Sequence, residues 1–468
     1  MTEVINPAKG TIGEALARFA VELRYEDIPK EVLKHLKDVM LDGYGCGLFG
    51  TTTPWWSIYK RVLTSLFKEK DSSIWGTNEK TSVIAATMLN GAAINSFELD
   101  DTHTEGIIHV STGVLGCITS FAEMLGNVSG KDFLVAATLA YELSCRIAAP
   151  VGRILANEGF NNTGVCCPIG STAGCGKLLG LNVDQMIDAF GIAGNWSSGL
   201  QAVQFESMAK RIVPSKSSEG AIIGTLLAKE GFTGIKDLFE NKFGGFYNCF
   251  TNDIYNRDRI IGELGTRYEL MGIGLKFYST CRSKHSTIDA LKRFKIEHPE
   301  VNPDDIERVI VHTTTITKKY SVDVDRITSV VSAQLSHPYV CAVVLLEGDA
   351  FIDKFTEEKI RNPKILELAK KVEVVVDPEI DKLPDSLRYT VHVDIHLKNG
   401  KTYRVTQQFP KGHPQNPYTQ EELERKFKIL AGKVFDDEKH LDKIIETVMN
   451  LEEISNIKEL TMLLRKES

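Results

Sequence analysis

Two apolar segments rich in small residues enclose one strongly polar run, and this arrangement constrains the fold more than any other feature of the sequence. Residues 82–96 and 110–125 have the composition of buried helices. Between them, residues 97–109 carry four carboxylates, two imidazoles and two threonine hydroxyls. Polar groups in apolar surroundings must be paired or take part in chemistry. We therefore expect buried helices that hold a polar site between them.

The position of His109 indicates what this site binds. Ser111 and Thr112 are candidate N-caps for the second segment, so His109 lies near a predicted helix N-terminus. Unpaired backbone N–H groups at such a terminus favour an anion, which makes a carboxylate substrate the natural ligand. The alternatives are that His109 is structural and that one of Asp100 and Asp101 only caps a helix.

Two further clusters bring positive charge. They are Lys210, Arg211 and Lys216 around a Pro-containing bend, and Lys276, Arg282, Lys284 and His285 before a predicted helix that Ser286 or Thr287 caps. Such side chains bind carboxylates and stabilise the negative charge that forms when a proton is removed next to a carbonyl group. The alternative for Lys210 and Arg211 is a solvated face, and Cys281 is either a nucleophile or a packing residue.

The apolar periodicity predicts the architecture. Helical spacing dominates the first half, whereas residues 308–315 and 371–376 have strand patterns and residues 389–397 and 402–407 flank the Asn-Gly turn of a hairpin. Residues 333–347 favour a helix. Capping boxes are expected at Asn182 with Gln185 and at Thr419 with Glu422. The sequence predicts a mainly α fold, with a large all-helical domain built from both chain ends (residues 1–271 and 410–468) and a smaller α+β lid domain (residues 272–409).

Composition excludes several classes of protein. The net charge of -7 argues against a broad nucleic-acid surface, and no apolar run is long enough to span a membrane. The first ten residues lack the pattern of a secretory signal, and nine Cys without disulfide-like spacing indicate reduced thiols in a cytoplasmic protein. A metal site is not expected, because His103 and His109 are six residues apart and no HExxH or CxxC motif occurs.

Taken together, several segments resemble the MmgE/PrpD family, which includes 2-methylcitrate dehydratases, cis-aconitate decarboxylases and iminodisuccinate epimerases. The resemblance covers nearly the whole chain and rests on the order and spacing of residues 99–103 with His109, 181–194, Lys210-Arg211 before 231–234, 276–290, 335–348 and 412–417. It implies a helical domain made from both chain ends with an α+β lid, a homodimer, no cofactor, and a small di- or tricarboxylate substrate.

The resemblance also implies site residues. Catalytic roles fall by position on Asp101, Thr102, His103, His109, Lys210 and Lys276, and substrate-binding roles on Asp100, Arg211, Cys281, Arg282, His285 and Tyr339. His109 is expected to handle the proton, with Asp101 and Thr102 orienting it. The sequence departs from the family pattern at Val213, where many members have His, at Lys216, where many have Arg, and at Cys281, where decarboxylating members have His.

The leading hypothesis is a cofactor-independent hydro-lyase that dehydrates a 2-methylcitrate-like acid by removing a proton next to a carboxylate. The alternatives are an epimerase of an iminodisuccinate-like dicarboxylate, a cis-aconitate decarboxylase that forms itaconate, and a non-catalytic carboxylate-binding dimer. Cys281 counts against decarboxylation, and Val213 keeps the non-catalytic alternative open.

Overall fold

The computed structural model describes residues 10–204 and 207–467, so the N-terminal segment that bears on a secretory signal lies almost wholly outside the described residues. Helices hold 59% of the structure and strands 9%, which confirms the mainly α fold. The α-helices of the described part are α1 Ile12–Glu22, α2 Lys30–Gly50, α3 Pro54–Leu66, α4 Val83–Ile94, α5 Val110–Leu125, α6 Gly130–Ala148, α7 Gly152–Asn157, α8 Asn162–Leu178, α9 Val183–Ala193, α10 Val213–Ser217, α11 Glu219–Lys229, α12 Phe246–Thr251, α13 Arg257–Ile261, α14 His285–Glu297, α15 Thr315–Lys319, α16 Val330–Gln334, α17 His337–Glu347, α18 Pro363–Ala369, α19 Pro378–Asp381, α20 Gln420–Ala431, α21 Glu438–Met449 and α22 Lys458–Leu463.

The strands of residues 10–204 and 207–467 form one four-stranded sheet and two very short pairs. They are β1 Ser72–Ser73, β2 Lys80–Thr81, β3 Thr102–His103, β4 Ile273–Gly274, β5 Ile306–Thr313, β6 Val372–Val376, β7 Val391–Leu397 and β8 Thr402–Gln407. The larger sheet has the order β6-β5-β7-β8, in which β5 and β6 are parallel and the other pairs antiparallel. Gly400, with φ 85°, makes the predicted turn between β7 and β8.

Two clusters of buried apolar side chains organise the chain. One, the helical body, runs from Ile12 to Leu275 and also takes in Leu423 to Leu464, so both chain ends share a core. The other, the α+β unit, runs from Tyr278 to Val405. The boundaries at residues 271/272 and 409/410 stay a prediction. Among residues 10–204 and 207–467, no helix combines the length and apolar character that crossing a bilayer requires.

Helix ends differ from the sequence expectation at three places. Helix α5 begins at Val110 with His109 at its N-cap position, so the caps predicted at Ser111 or Thr112 are wrong. Helix α14 begins earlier than the predicted caps, at His285. The helix predicted over residues 333–347 is two helices, because Pro338 lies in the first turn of α17 and cannot donate to a preceding turn. Both predicted capping boxes are present.

Candidate active site

The short pair of strands β3 and β4 brings the polar run 97–109 against the segment that precedes α14. Thr102 pairs with Gly274 and His103 with Ile273. Lys210 and Arg211 belong to a 3-10 turn, Met208–Arg211. A hydrogen bond from Asn95 Nδ2 to the Lys210 carbonyl (3.2 Å) holds this turn against the end of α4. The structure therefore brings together residues of all three clusters identified in the sequence, except Lys216 of α10, which is exposed.

Glu98 joins these clusters electrostatically. Its Oε1 contacts Lys210 Nζ and accepts from Arg211 Nη1 at 2.6 Å, and its Oε2 lies 3.8 Å from Lys276 Nζ. Burial raises the pKa of Glu98, but the three cations together lower it well below the ordinary value. Glu98 adopts the left-handed conformation (φ 60°), which costs energy for a non-glycine residue. This strain is consistent with a site that needs the carboxylate in one place.

The imidazole of His109 pairs with a buried carboxylate. Its Nδ1 lies 3.1 Å from Asp100 Oδ2 and 3.1 Å from the carbonyl oxygen of Asp101. Because both partners are acceptors, Nδ1 carries the hydrogen, and Nε2 of the neutral ring has the free lone pair. The pKa of Asp100 is raised by burial but lowered further by His109 and Lys276, so Asp100 stays ionised. This geometry suits a residue that takes up and returns a proton at Nε2.

Asp101 has a different task from the one expected for it. Its carboxylate accepts hydrogen bonds from the backbone N–H groups of Val110 (3.1 Å) and Ser111 (2.9 Å). It therefore caps α5 from outside the helix, and only its backbone carbonyl contacts His109. Burial and the neighbouring Asp100 raise the pKa of Asp101 to about 6. The carboxylate that orients the imidazole is that of Asp100.

One cavity of about 770 Å³, including its mouth, lies between the helical body and the α+β unit. The side chains that line it include Thr102, His109, Thr163 and Lys210 from the helical body, and Cys281, Arg282, Tyr320, Arg388 and Tyr389 from the other side. Within the described residues, three cationic side chains and no carboxylate face this cavity. A small molecule with several negative charges is the ligand that such a lining favours.

Cys281 and Arg282 lie in this lining. Cys281 is partly exposed, and although burial raises the pKa of its thiol, the buried ammonium of Lys284 lowers it further, for a net decrease. Arg282 Nη1 donates to the carbonyls of Leu275 (2.9 Å) and Lys411 (3.1 Å), and burial lowers the pKa of Arg282 to about 10. The guanidinium is thus fixed by backbone oxygens, and its Nη2 has no hydrogen-bond partner in the described chain.

Lys276 and Arg211 are buried behind the cavity. Lys276 Nζ is enclosed between Asp100 Oδ1 (3.6 Å) and Glu98 Oε2 (3.8 Å) and does not reach the lining. Arg211 pairs with Glu98, and its guanidinium carbon lies 5.8 Å from the ring of Trp55, on a different surface of the helical body. Both cations therefore act on the site through carboxylates rather than by direct contact.

The remaining predicted residues are also outside the cavity lining. His103 Nδ1 accepts from the Gly106 N–H (3.1 Å) and so holds the loop that leads to His109. His285 Nε2 lies 3.3 Å from the Thr280 carbonyl, and burial and Arg282 lower its pKa well below the usual value. Tyr339 donates its hydroxyl hydrogen to the Lys354 carbonyl (2.8 Å) inside the α+β unit. In this structure these three side chains support local backbone.

Several cavity residues were not singled out from the sequence. Thr163 accepts the backbone N–H of His109 (2.9 Å), which fixes the start of α5 from a neighbouring helix. Tyr320, Arg388 and Tyr389 belong to the α+β unit, where Tyr320 follows α15 and the other two precede β7. Single polar residues at such positions gave no signal of a site. No group of three His, Cys, Asp or Glu side chains arranged for a metal ion occurs in the part of the chain that the structure describes, and the lack of a cofactor stays a prediction.

Comparison with known proteins adds an independent observation. The family model of the MmgE/PrpD N-terminal domain matches residues 14–257, and that of the MmgE/PrpD C-terminal domain matches residues 278–451. A cis-aconitate decarboxylase-like protein, oryM, of Aspergillus oryzae is 29% identical over an alignment of 485 positions, gaps included, that covers 100% of both chains. A cis-aconitate decarboxylase of Aspergillus terreus is 30% identical over 98% of this chain and 96% of its own. A mitochondrial 2-methylcitrate dehydratase of Yarrowia lipolytica is 23% identical over 80% of this chain and 75% of its own.

Proposed function

The chain belongs to the MmgE/PrpD family, and from this premise we propose that it is a cofactor-independent lyase that acts on a small tricarboxylate at the cavity between the helical body and the α+β unit. One observation carries the proposal. His109, oriented by Asp100 at 3.1 Å, faces a cavity whose described lining holds three cations and no carboxylate. This combination provides proton transfer next to a bound polyanion.

Decarboxylation of a cis-aconitate-like acid is the first candidate reaction. The bond from carbon to one carboxylate breaks, CO₂ leaves, and the electron pair is delocalised over the adjacent alkene and its carboxylate. A proton then adds to carbon to give the unsaturated dicarboxylate. Protonated His109 supplies that proton, and Asp100 stabilises the imidazolium before the transfer. The relatives with this activity in their names, which match nearly the whole chain, support this candidate, and Cys281, which lines the cavity where decarboxylating members have His, is the observation against it.

Dehydration of a 2-methylcitrate-like acid is the second candidate, and it is the reaction that the sequence hypothesis placed first. Neutral His109 removes the proton next to a carboxylate, and the hydroxyl group on the neighbouring carbon leaves as water after it receives a proton. The dehydratase among the relatives supports this candidate. The reaction needs a second proton donor, and Cys281, Tyr320 and Tyr389 are the weakly acidic side chains on the opposite side of the lining.

Product analysis in D₂O separates these reactions. The purified protein and its His109→Gln variant are incubated separately with cis-aconitate, 2-methylcitrate, citrate and iminodisuccinate, and each mixture is followed by NMR and mass spectrometry. CO₂ and a product carrying one deuterium establish decarboxylation, and loss of water with a new alkene establishes dehydration. Deuterium exchange in an unchanged iminodisuccinate skeleton, or binding without turnover of any acid, contradicts the lyase assignment.

Two further proposals concern the assembly and the location of the protein. We propose that the chain forms a homodimer, which sedimentation equilibrium tests directly. We also propose a cytoplasmic location, because all nine Cys are free thiols and seven of them are buried. Fractionation of the source cells checks the location.

A further inference from the structure

Arg388 occupies a position in the cavity that no sequence motif indicates. It follows a 3-10 turn, Asp385–Leu387, and lies three residues before β7. Its side chain lines the same cavity as His109 and Lys210, although it belongs to the α+β unit and they belong to the helical body. Only 5% of the residue is exposed, so its guanidinium group is largely removed from water.

This guanidinium group has no anionic partner in the described residues. Its Nη1 is buried without a hydrogen bond, and no ion pair to Arg388 occurs within residues 10–204 and 207–467. The acids nearest in sequence are already engaged, since Asp385 pairs with Arg153 and Asp394 with Arg404. Asp381, which lines a neighbouring pocket together with Arg388, accepts from Thr315 and makes no ion pair with Arg388. Among the described residues, its charge is stabilised by neutral rings rather than by an anion: its guanidinium carbon lies 5.5 Å from the centre of the Tyr389 ring. A buried cation without a counter-charge destabilises a fold unless a ligand supplies the charge.

The other cations of the lining are held differently. Lys210 is neutralised by Glu98, and Arg282 is fixed by two backbone carbonyls. Tyr389 lines the same cavity as both guanidinium groups, and their positive charges counteract the burial that raises its pKa. The cavity therefore presents one anchored and one unpaired guanidinium on the side opposite His109. Arginine binds carboxylates through two parallel hydrogen bonds, which gives it both affinity and orientation.

We propose that Arg388 is a substrate-binding residue that pairs with a carboxylate of the substrate, and that this contact makes the site prefer tricarboxylates to dicarboxylates of the same chain length. The inference rests on the proposed function, because it concerns the ligand of the same cavity. Binding through Arg388 joins the α+β unit to the ligand, while His109 and Lys210 contact it from the helical body.

Calorimetric binding of two unreactive probes tests this role. The probes are propane-1,2,3-tricarboxylate and glutarate, which share a five-carbon chain and differ in the central carboxylate. The variants are Arg388→Gln, Arg388→Lys, and Arg361→Gln as the matched control, since Arg361 is an exposed arginine of the same unit (67% of its side chain). We expect Arg388→Gln to weaken binding of the tricarboxylate by roughly 100-fold and binding of glutarate by far less. The affinity of Arg388→Lys for the tricarboxylate should lie between those of Arg388→Gln and the wild type. The control should bind both probes like the wild type.

Thermal unfolding without ligand separates binding from a structural role. A residue that is unpaired and waits for an anion costs stability, so Arg388→Gln should unfold at the wild-type temperature or above it. A lower unfolding temperature in both Arg388 variants, an unchanged affinity for the tricarboxylate, or an equal loss for both probes overturns the proposal. If the wild-type protein binds neither probe and converts no tricarboxylate, the proposed function fails together with the role of Arg388. If the wild-type protein converts a tricarboxylate and Arg388→Gln binds and converts it equally well, only the role of Arg388 is overturned.

Discussion

Replacing Asp100 by Asn removes the negative charge beside the His109 imidazole and leaves a side chain of almost the same size. In the wild type, Asp100 Oδ2 lies 3.1 Å from His109 Nδ1 and also accepts from the Thr112 hydroxyl at 2.8 Å. The Asn oxygen keeps one acceptor, but the charge that stabilises the imidazolium is lost. A hydrogen bond to a charged group contributes about 1.5–3 kcal/mol.

This free energy converts directly to rate if the imidazolium forms in the rate-limiting step. With about 1.4 kcal/mol for each factor of ten, Asp100→Asn should lower kcat by about 10- to 150-fold. The substrate contacts of Arg282 and Arg388 are untouched, so KM should stay within about threefold. The assay is steady-state kinetics on the acid that the wild-type protein converts, with the free energy of unfolding measured by urea denaturation in parallel.

The neighbouring residue provides the control. Asp101→Asn changes the same charge one residue away, but its carboxylate caps α5 and does not contact the imidazole. Asn keeps only one of the two acceptor oxygens that cap α5, so this variant should lose some stability, but it leaves the pair of His109 and Asp100 in place and should keep kcat within about fivefold. If Asp101→Asn loses as much activity as Asp100→Asn, or if Asp100→Asn keeps more than half of the wild-type kcat, the assignment of the orienting carboxylate is refuted.

Three other perturbations have defined outcomes. Glu98→Gln leaves two buried cations unpaired and should lower the free energy of unfolding by about 3–5 kcal/mol at pH 7. The pKa of Glu98 is depressed in the folded protein. The ionised carboxylate therefore contributes its full share of stability above the ordinary Glu pKa of about 4.3, and this share is lost as the pH falls through the lower folded-state pKa. The difference in unfolding temperature between variant and wild type should thus shrink only below about pH 4.3. Cys281 lines the cavity, whereas Cys249 is on the surface. Bound propane-1,2,3-tricarboxylate should therefore slow alkylation of Cys281 and leave alkylation of Cys249 unchanged, which peptide mass spectrometry measures. Equal protection of both thiols would contradict the place of Cys281 in the cavity lining. Tyr339→Phe should cost about 1 kcal/mol of stability without a change in kcat/KM, and a loss of substrate affinity would restore its predicted binding role.

The fold class followed from local patterns that the structure reproduces. Alternating apolar residues and the Asn-Gly turn placed the hairpin of β7 and β8, and helical spacing at both chain ends indicated a shared helical core. The starts of α5 and α14 were misplaced because Ser and Thr are common caps, whereas the first N–H groups of α5 are satisfied by Asp101, which precedes the helix by nine residues. A cap supplied from outside the helix leaves no local sequence signal.

The candidate site was predictable in its clusters and not in its contacts. The three groups of charged residues do converge, because β3 and β4 pair across more than 160 residues of sequence, and this pairing has no local pattern. Asp100 orients the imidazole and Asp101 caps α5 because the two adjacent side chains point in different directions, which the sequence does not specify. Arg388 was missed because a single Arg before a strand is most often solvated, and only the packing of the α+β unit against the helical body buries it.

The most direct test of the central claim is the turnover number of His109→Gln on the acid that the wild-type protein converts, measured together with the affinity for propane-1,2,3-tricarboxylate. Loss of a positioned acid–base group lowers rates by roughly 10²- to 10⁴-fold. If His109 moves the proton, kcat falls by a factor in that range while the probe still binds within about fivefold of the wild-type affinity. A variant that keeps kcat within a factor of five, with the same product, contradicts the account.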